Sequence, residues 1–175
     1  MNSEDACKFT DHICRLAPVI PVLVIEDATI AEPLAEALIS GGLPTLEVTL
    51  RSAAALDAIR AMSKVVGATV GAGTLLSGQD VRAAKEAGAV FGVSPGATDS
   101  LLQACEDCDM PLLPGAATAS EVMRLMEHGY RMQKFFPAEA SGGVPALQSI
   151  GGPLPQVAFC PTGGIGAVNA PAYLA

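Results

Sequence analysis

The sequence predicts an α/β fold in which parallel strands alternate with helices, and two observations support this prediction. First, half of the 175 residues are hydrophobic but only 16% are charged, against about 25% in an average domain. Such a composition is typical of strands that are buried on both faces. Second, short apolar runs rich in Val, Ile and Leu recur along the chain, and each is followed by apolar residues at helical spacing. This alternation produces parallel strands joined by right-handed crossovers.

Seven strand–helix units follow one another, preceded by a helix over about residues 3–16. The predicted strands are Pro18–Ile25, Thr45–Leu50, Thr69–Leu75, Val90–Pro95, Met110–Ala116, Tyr130–Pro137 and Val157–Gly164. The helices that follow them are Ala28–Ser40, Ser52–Val65, Gly78–Ala87, Asp99–Cys108, Ser120–Glu127, Val144–Ile150 and a last fragment around Val168–Leu174. Ser52 is predicted to be the N-cap of its helix.

Two arrangements of such units are an open doubly wound sheet and a closed barrel. A dinucleotide-binding sheet requires G-x-G-x-x-G directly after its first strand, but here that strand runs into Ile25–Ile30, which contains no glycine. Seven units of similar length favour a (β/α)₈ TIM barrel of which seven units are visible. Because a complete barrel has about 250 residues and rarely fewer than about 200, we expect one barrel domain, residues 1–175, truncated before its C-terminal eighth strand.

Charge and composition exclude several classes of partner. Ten Lys and Arg against 18 Asp and Glu give a net charge of −8, which argues against binding to nucleic acid or to a membrane surface. No secretory signal is visible, and the longest strongly apolar stretch, Leu16–Ile25, is too short to span a bilayer. We therefore expect a cytoplasmic protein. The odd number of cysteines predicts reduced thiols, with a redox or zinc role for the Cys105/Cys108 pair as the lesser alternative.

The end of the second predicted strand carries charge where an apolar residue would be expected. Side chains alternate along a strand, so Glu47, Thr49 and Arg51 point the same way. In a (β/α)₈ barrel the functional residues lie at the carboxyl ends of the strands. Burying an unpaired charge is costly, so these residues indicate either a ligand site or a structural ion pair.

Lys134 lies among hydrophobic neighbours in the sixth predicted strand and shares a face with Phe136. Desolvation disfavours the charged ammonium, so a lysine in such surroundings is available as a neutral amine that can form a Schiff base with a ketone. The alternative is a lysine at a strand end whose stem is covered and whose ammonium reaches solvent.

The seventh predicted strand leads into Thr162, Gly163 and Gly164. Glycines before a helix can present backbone amides to an anion, and barrel loops after the seventh and eighth strands often bind phosphate. The alternative is a simple glycine turn. Thr74, at the end of the third strand, is less informative because threonine is common at strand ends.

Five segments resemble, in order and with compatible spacing, the 2-keto-3-deoxy-6-phosphogluconate (KDPG) aldolase family. They are LEVTLR (Leu46–Arg51), GAGT (Gly71–Thr74), SPG (Ser94–Gly96), KFFPAE (Lys134–Glu139) and FCPTGGI (Phe159–Ile165). The resemblance extends from about Pro18 to the C-terminus, and the wider group includes forms that also act on 4-hydroxy-2-oxoglutarate (KHG). It implies a (β/α)₈ barrel, a homotrimer, and a class I aldolase that uses neither a cofactor nor a metal.

The resemblance also implies roles for individual residues. Lys134 would form the Schiff base with the C2 ketone, and Glu47 would be the general acid/base. Substrate contacts would come from Arg51 at the carboxylate, Thr74 as a second polar contact, Pro95 and Phe136 as apolar walls, and Thr162, Gly163 and Gly164 at the phosphate.

The implied substrate is a small keto acid with a pyruvate end and a phosphorylated aldehyde end. Cleavage of KDPG would yield pyruvate and glyceraldehyde 3-phosphate, and cleavage of KHG would yield pyruvate and glyoxylate. Family members carry an eighth strand with a Gly-Gly-Ser-type turn that completes the phosphate site, and the sequence has no counterpart of it. Two alternatives therefore stay open: a truncated, non-catalytic remnant that associates with partner chains, and a related lyase acting on a non-phosphorylated keto acid.

Overall fold

A computed structural model describes residues 3–174, in which strands and helices alternate as the sequence predicts. The strands are β1 (Val22–Leu23), β2 (Thr45–Thr49), β3 (Thr69–Gly73), β4 (Phe91–Val93), β5 (Leu112–Leu113), β6 (Gly115–Ala116), β7 (Met132–Phe135) and β8 (Ala158–Pro161). The helices are α1 (Ser3–Cys14), α2 (Ala31–Ser40), α3 (Ala55–Met62), α4 (Gly78–Glu86), α5 (Asp99–Asp107), α6 (Ala119–Glu127), α7 (Gly143–Gly151) and α8 (Ala170–Leu174), with a 3₁₀ helix (Ala28–Ile30) leading into α2.

All strand pairs are parallel. The order is β1-β2-β3-β4-β5 in one sheet and β6-β7-β8 in the other. The two sheets meet at Pro114, which alone separates β5 from β6, so the fifth predicted strand is one segment divided at a residue that has no N–H to donate. Consequently β7 and β8 are the sixth and seventh predicted strands. Within residues 3–174 no strand pairing joins β8 to β1, and these two form the edges.

The strands are shorter than the apolar runs that predict them. The first run contracts to Val22–Leu23 because Pro18 and Pro21 cannot donate backbone hydrogen bonds. Pro21 contributes only its carbonyl, which accepts the amide of Glu47 at 3.1 Å. Apolar patterning therefore located each strand but overestimated its length.

The prediction that Ser52 caps α3 is wrong. The helix begins at Ala55 with Ala54 at the N-cap and no capping side chain. The Ser52 hydroxyl instead donates to the carbonyl of Ile25, the last residue of the first predicted strand. This hydroxyl thus joins the loops that follow β1 and β2.

Three later helices do begin at capping side chains. Ser77, Thr98 and Thr118 are extended residues whose hydroxyls accept a backbone amide three positions on. At α6 the Glu121 carboxylate also accepts the amide of Thr118, which completes a capping box. Because each helix starts soon after a strand ends, these caps fix the loops on the side of the molecule where the strands terminate.

Two hydrophobic clusters fill the molecule. The larger lies between the strands and the outer helices and contains Leu46 and Val48 of β2. The smaller contains Ile13, Phe91, Val93, Leu113 and Met132.

Helix α1 supplies Ile13 to the smaller cluster and contacts β5 and β7. The Ile13 carbonyl accepts the hydroxyl of Thr45, the first residue of β2, at 3.1 Å. The C-terminus of α1 therefore covers the amino ends of the strands, and the carboxyl ends are left for a site.

All five cysteines are free thiols, and Cys105 is buried. Among residues 3–174 no three His, Cys, Asp or Glu side chains gather as a metal site would require. In the same range, no helix has both the length and the apolar character needed to cross a membrane.

Candidate active site

Glu47 on β2 and Lys134 on β7 meet inside the fold although 87 positions separate them in the chain. Lys134 Nζ donates to Glu47 Oε1 at 3.3 Å, and the two residues are only 4% and 5% exposed. The sequence also allowed a structural ion pair between Glu47 and Arg51, but in the structure Glu47 pairs with Lys134. A buried carboxylate and a buried ammonium in direct contact form the chemical centre of the candidate site.

Gly73 leaves the space that Glu47 occupies. A Cβ atom on Gly73 would lie 2.8 Å from Glu47 Cγ and 2.9 Å from Cδ, and closer still to Oε1. Any other residue would therefore push the carboxylate away from Lys134. Sequence analysis quoted Gly73 within a motif but missed this role, because the contact depends on the parallel register of β2 with β3.

Burial holds the pKa of Glu47 above its ordinary value. The charges of Lys134 and Arg51 and the hydrogen bond from Lys134 act in the opposite direction but do not offset the desolvation. A carboxyl group with a raised pKa can both accept and release a proton closer to neutral pH than an ordinary Glu. Glu47 is thus suited to general acid/base chemistry.

The aromatic residues beside Lys134 lie on opposite sides of the strand. Lys134 Nζ is 5.2 Å from the centroid of the Phe136 ring, within the range of a cation–π contact. Phe135 turns the other way and packs edge-on against Phe159, with ring centroids 6.5 Å apart. Because Lys134 is almost fully covered, its ammonium does not reach solvent as the alternative interpretation required.

Pro95 packs against Gly115, which neighbours Lys134 on the adjacent strand. Gly115 is the register partner of Lys134, and a Cβ on it would come within 2.7 Å of the Ser94 carbonyl and still closer to that of Pro95. The half-buried Pro95 therefore stands against the strand next to Lys134. The neighbouring Ser94 hydroxyl is buried without a hydrogen-bond partner in residues 3–174.

Arg51 stands at the mouth of the site with its side chain exposed. Its Nε donates to Thr49 Oγ1 at 3.3 Å, and the Thr49 hydroxyl donates to the Leu23 carbonyl at 2.9 Å. This chain of hydrogen bonds steadies the base of the guanidinium and leaves its outer face open to solvent. A guanidinium so placed can bind a carboxylate in a bidentate manner.

Thr74 has a backbone conformation that the sequence does not reveal. Its φ angle is +64°, in the left-handed region that a β-branched residue rarely adopts. Non-glycine residues held there cluster at functional sites. The structure therefore makes Thr74, at the carboxyl end of β3, a stronger candidate than its residue type alone suggested.

The Thr162–Gly164 segment after β8 lies against the segment after β7. Thr162 donates its amide to the Phe135 carbonyl at 2.9 Å, and its own carbonyl accepts the amide of Ala138 at 2.8 Å. Gly163 and Gly164 adopt φ angles of +106° and +76°, which favour glycine. A Cβ on Gly163 would lie 3.3 Å from the Phe136 ring.

Phe136 thus contacts the ammonium of Lys134 on one side and the glycine segment on the other. In the described part of the chain, the amides of Gly163 and Gly164 donate to no backbone carbonyl. The structure brings the sequence-predicted residues to the carboxyl ends of β2, β3, β4, β7 and β8, with a buried amine at the centre and glycine amides at the edge.

Comparison with known proteins shows the family of the chain. Residues 10–175 match the model of the KDPG and KHG aldolase family. The chain belongs to this family. It is therefore a lyase of the aldolase class, which confirms the resemblance drawn from the five motifs.

Relatives and solved structures agree with the assignment. The chain is 52% identical to the KHG/KDPG aldolase of Escherichia coli K12 over 94% of its own length and 78% of that protein. It is 47% identical to a 2-dehydro-3-deoxy-phosphogluconate aldolase of Pseudomonas aeruginosa, with 99% and 80% covered. A Zymomonas mobilis KDPG aldolase crystal structure with 3-phosphoglycerate superimposes with a TM-score of 0.92 at 51% identity, covering 95% of this chain and 80% of that one.

A further structure, the KDPG aldolase of Legionella pneumophila with pyruvate captured as a covalent carbinolamine, has a TM-score of 0.88 at 45% identity, with 93% and 79% covered. These similarities confirm the predicted parallel α/β fold of the TIM-barrel class.

Proposed function

We propose that the chain is a class I aldolase that cleaves KDPG to pyruvate and glyceraldehyde 3-phosphate through a Schiff base on Lys134. The observation that carries the proposal is the buried contact of 3.3 Å between Lys134 Nζ and Glu47 Oε1. The pyruvate carbinolamine captured in the Legionella relative supports covalent chemistry of this kind.

The reaction begins when the Lys134 ammonium passes a proton to the Glu47 carboxylate across their 3.3 Å contact. The resulting Lys134 amine attacks the C2 carbonyl carbon of the substrate. The carbinolamine that forms loses water to give a protonated imine, with Glu47 as the adjacent group that donates the proton leaving with the hydroxyl. The low exposure of both residues keeps bulk water away from this step.

Cleavage then breaks the C3–C4 bond. Glu47, once more a carboxylate, accepts the proton of the C4 hydroxyl as that carbon becomes the aldehyde carbon. The bonding electrons pass through C2 to the iminium nitrogen, and an enamine of pyruvate remains on Lys134. Protonation at C3 and hydrolysis of the imine release pyruvate and regenerate the amine.

The remaining site residues are assigned to the two ends of the substrate. We assign Arg51 to the pyruvate carboxylate, Thr74 to a second polar contact, and Pro95 and Phe136 to the apolar walls around the imine. Thr162, Gly163 and Gly164 are assigned to the phosphate, because two amides without backbone partners suit an anion.

KHG is the second substrate that the family relationship favours, since the Escherichia coli relative bears both names. The non-catalytic remnant gains no support, because the Glu47–Lys134 pair is intact. A single barrel domain over residues 1–175, a homotrimer and a cytoplasmic location stay predictions.

Product release tests the proposal. The chain should convert KDPG to pyruvate and glyceraldehyde 3-phosphate in equal amounts, and Lys134→Met should abolish both products while Lys85→Met, a change at an exposed helical lysine, leaves them unchanged. The ratio of kcat/KM for phosphorylated and non-phosphorylated substrates separates KDPG from the non-phosphorylated alternative. Turnover that survives loss of Lys134 would refute the Schiff-base mechanism.

A further inference from the structure

We infer that Glu139, Tyr173 and Asn169 are positioning residues that hold the Gly163–Gly164 amides toward the substrate phosphate and so set the preference for phosphorylated substrates. This inference rests on the proposed function, in which those amides bind the phosphate. It concerns side chains that lie outside the groups assigned to the substrate.

Glu139 supports the glycine segment from the β7 side. Its amide donates to the Gly163 carbonyl at 3.1 Å. Its side chain lies directly against Gly164, where a Cβ would approach Glu139 Cβ to 2.8 Å and Cγ to 2.9 Å. Gly164 therefore packs against the aliphatic part of the Glu139 side chain. This contact couples the loop after β8 to the loop after β7.

Tyr173 on α8 fixes the carboxylate of Glu139 by donating its hydroxyl hydrogen bond to Oε1. Gly143 leaves room for this contact, since a Cβ there would lie 3.2 Å from Oε1 and 3.5 Å from the Tyr173 hydroxyl oxygen. The hydrogen bond to Glu139 raises the pKa of Tyr173 to about 12. The tyrosine thus remains a donor across the neutral range.

Asn169 anchors the same segment from its other side. Its Nδ2 donates to the Gly164 carbonyl at 3.0 Å, and its Oδ1 accepts the amide of Gly166 at 2.8 Å. Both glycine carbonyls are therefore engaged, that of Gly163 by Glu139 and that of Gly164 by Asn169. Because the carbonyls are held and the amides have no backbone acceptor, the amide direction is preset for an external anion.

The negative charge of Glu139 makes it possible to distinguish an electrostatic effect on phosphate binding from a positioning effect. A carboxylate next to a phosphate site repels the ligand, so by charge alone its removal should strengthen phosphate binding. If Glu139 acts through the position of the glycine segment, its removal should weaken phosphate binding in spite of the charge. The two effects predict opposite results for one substitution.

The test measures dissociation constants for 3-phosphoglycerate and for glycerate by calorimetry on the 175-residue chain. The dissociation constant for glycerate divided by that for 3-phosphoglycerate isolates the contribution of the phosphate. We expect Glu139→Ala and Tyr173→Phe each to lower this ratio by about tenfold, the effect of losing one charge-assisted hydrogen bond. Glu139→Gln keeps an oxygen that can accept from Tyr173 and removes the negative charge, so its ratio should equal or exceed that of the unsubstituted chain.

Glu86→Ala is the matched control, because it removes the same charge at the exposed end of α4. The rate at which borohydride traps pyruvate on Lys134 should not change in any of these variants. A tighter constant for 3-phosphoglycerate in Glu139→Ala, or no preference for 3-phosphoglycerate in the unsubstituted chain, would overturn the inference. Should Glu139→Ala fail to fold, Tyr173→Phe decides alone, and an unchanged ratio there overturns it.

The two proposals fail in different ways. A chain that traps no pyruvate but loses its phosphate preference in Tyr173→Phe would refute the lysine mechanism and leave this inference standing. A chain that traps pyruvate but keeps its ratio in Tyr173→Phe would support the lysine mechanism and refute the role given to Tyr173 and Glu139.

Discussion

The lysine centre (Glu47 and Lys134) and the glycine segment (Gly163 and Gly164) both contact or adjoin the Phe136 ring. They are nevertheless stabilised by different interactions. Glu47 and Lys134 are almost fully buried, come from strands with neighbours on both sides, and touch each other directly. Gly163 and Gly164 follow the edge strand β8, are half-buried or exposed, and are held by hydrogen bonds from Glu139 and Asn169 in the surrounding loops.

Bond cleavage and phosphate recognition therefore depend on different parts of the chain. The lysine centre relies on exclusion of water and close packing, so one misplaced atom should disable it. The glycine segment relies on several individually modest hydrogen bonds, so its changes should be graded. Substitutions in the lysine centre should accordingly have larger effects than substitutions in the glycine segment.

Glu47→Gln keeps the size of the side chain and removes its ability to accept a proton. We expect kcat for KDPG cleavage to fall by about 10²- to 10⁴-fold, the usual contribution of a general acid/base. The dissociation constant for 3-phosphoglycerate should change little, because the glycine segment does not contact Glu47. Near-normal turnover would show that Glu47 is a structural partner only.

Gly73→Ala should displace Glu47 from Lys134, since the new Cβ would overlap the carboxylate. A displacement of about 1 Å can lower turnover by about 10²-fold, and steady-state kinetics will measure it. The matched control is Gly96→Ala, where a Cβ meets no atom within 4 Å. Equal effects of the two substitutions would contradict the role given to Gly73.

Arg51→Lys should raise the KM for pyruvate-containing substrates by about tenfold, because an ammonium cannot reproduce a bidentate guanidinium contact. The preference for phosphorylated substrates should persist, which separates the two ends of the site. Arg60→Lys, on the exposed face of α3, provides the control. A change in phosphate preference instead of KM would place Arg51 at the wrong end of the substrate.

The pH dependence follows from the raised pKa of Glu47. As pH falls through that pKa the carboxylate becomes protonated and can no longer accept the C4 hydroxyl proton. The acidic limb of kcat/KM should therefore lie above the ordinary Glu pKa of about 4.3. A limb at or below that ordinary value would mean that Glu47 is not the base whose titration limits the reaction.

Thr74→Gly should have the smallest effect on stability. It relieves a left-handed threonine, worth about 1–2 kcal/mol, but adds the roughly 0.5–1 kcal/mol entropic cost of glycine. The free energy of unfolding in urea should thus stay unchanged or rise by at most about 1.5 kcal/mol. Thr69→Gly, at the start of the same strand, relieves no such strain and should destabilise the protein more.

The periodic strand–helix pattern was sufficient to predict the parallel fold, because burial on both strand faces leaves a clear apolar signal. It was also sufficient to select Glu47 and Lys134, since charge in such strands is conspicuous. It could not show that these two residues pair, because their meeting depends on the curvature that brings β2 opposite β7.

The features that sequence reasoning missed depend on contacts between segments that are distant in the chain. Gly73, Asn169 and Tyr173 look like ordinary strand, loop and helix residues until the register places them beside Glu47, Gly164 and Glu139. Ser52 was assigned wrongly because a carbonyl from another loop competes for its hydroxyl. Propensity describes a residue's sequence neighbours, and these residues act on distant ones.

Trapping of pyruvate on Lys134 would demonstrate the Schiff-base mechanism. The chain is incubated with pyruvate, reduced with borohydride, digested, and examined by mass spectrometry. We predict a pyruvyl adduct on Lys134, with none on the exposed Lys64 and Lys85. A folded chain that carries no adduct on Lys134, or equal adducts on all three lysines, would contradict the account.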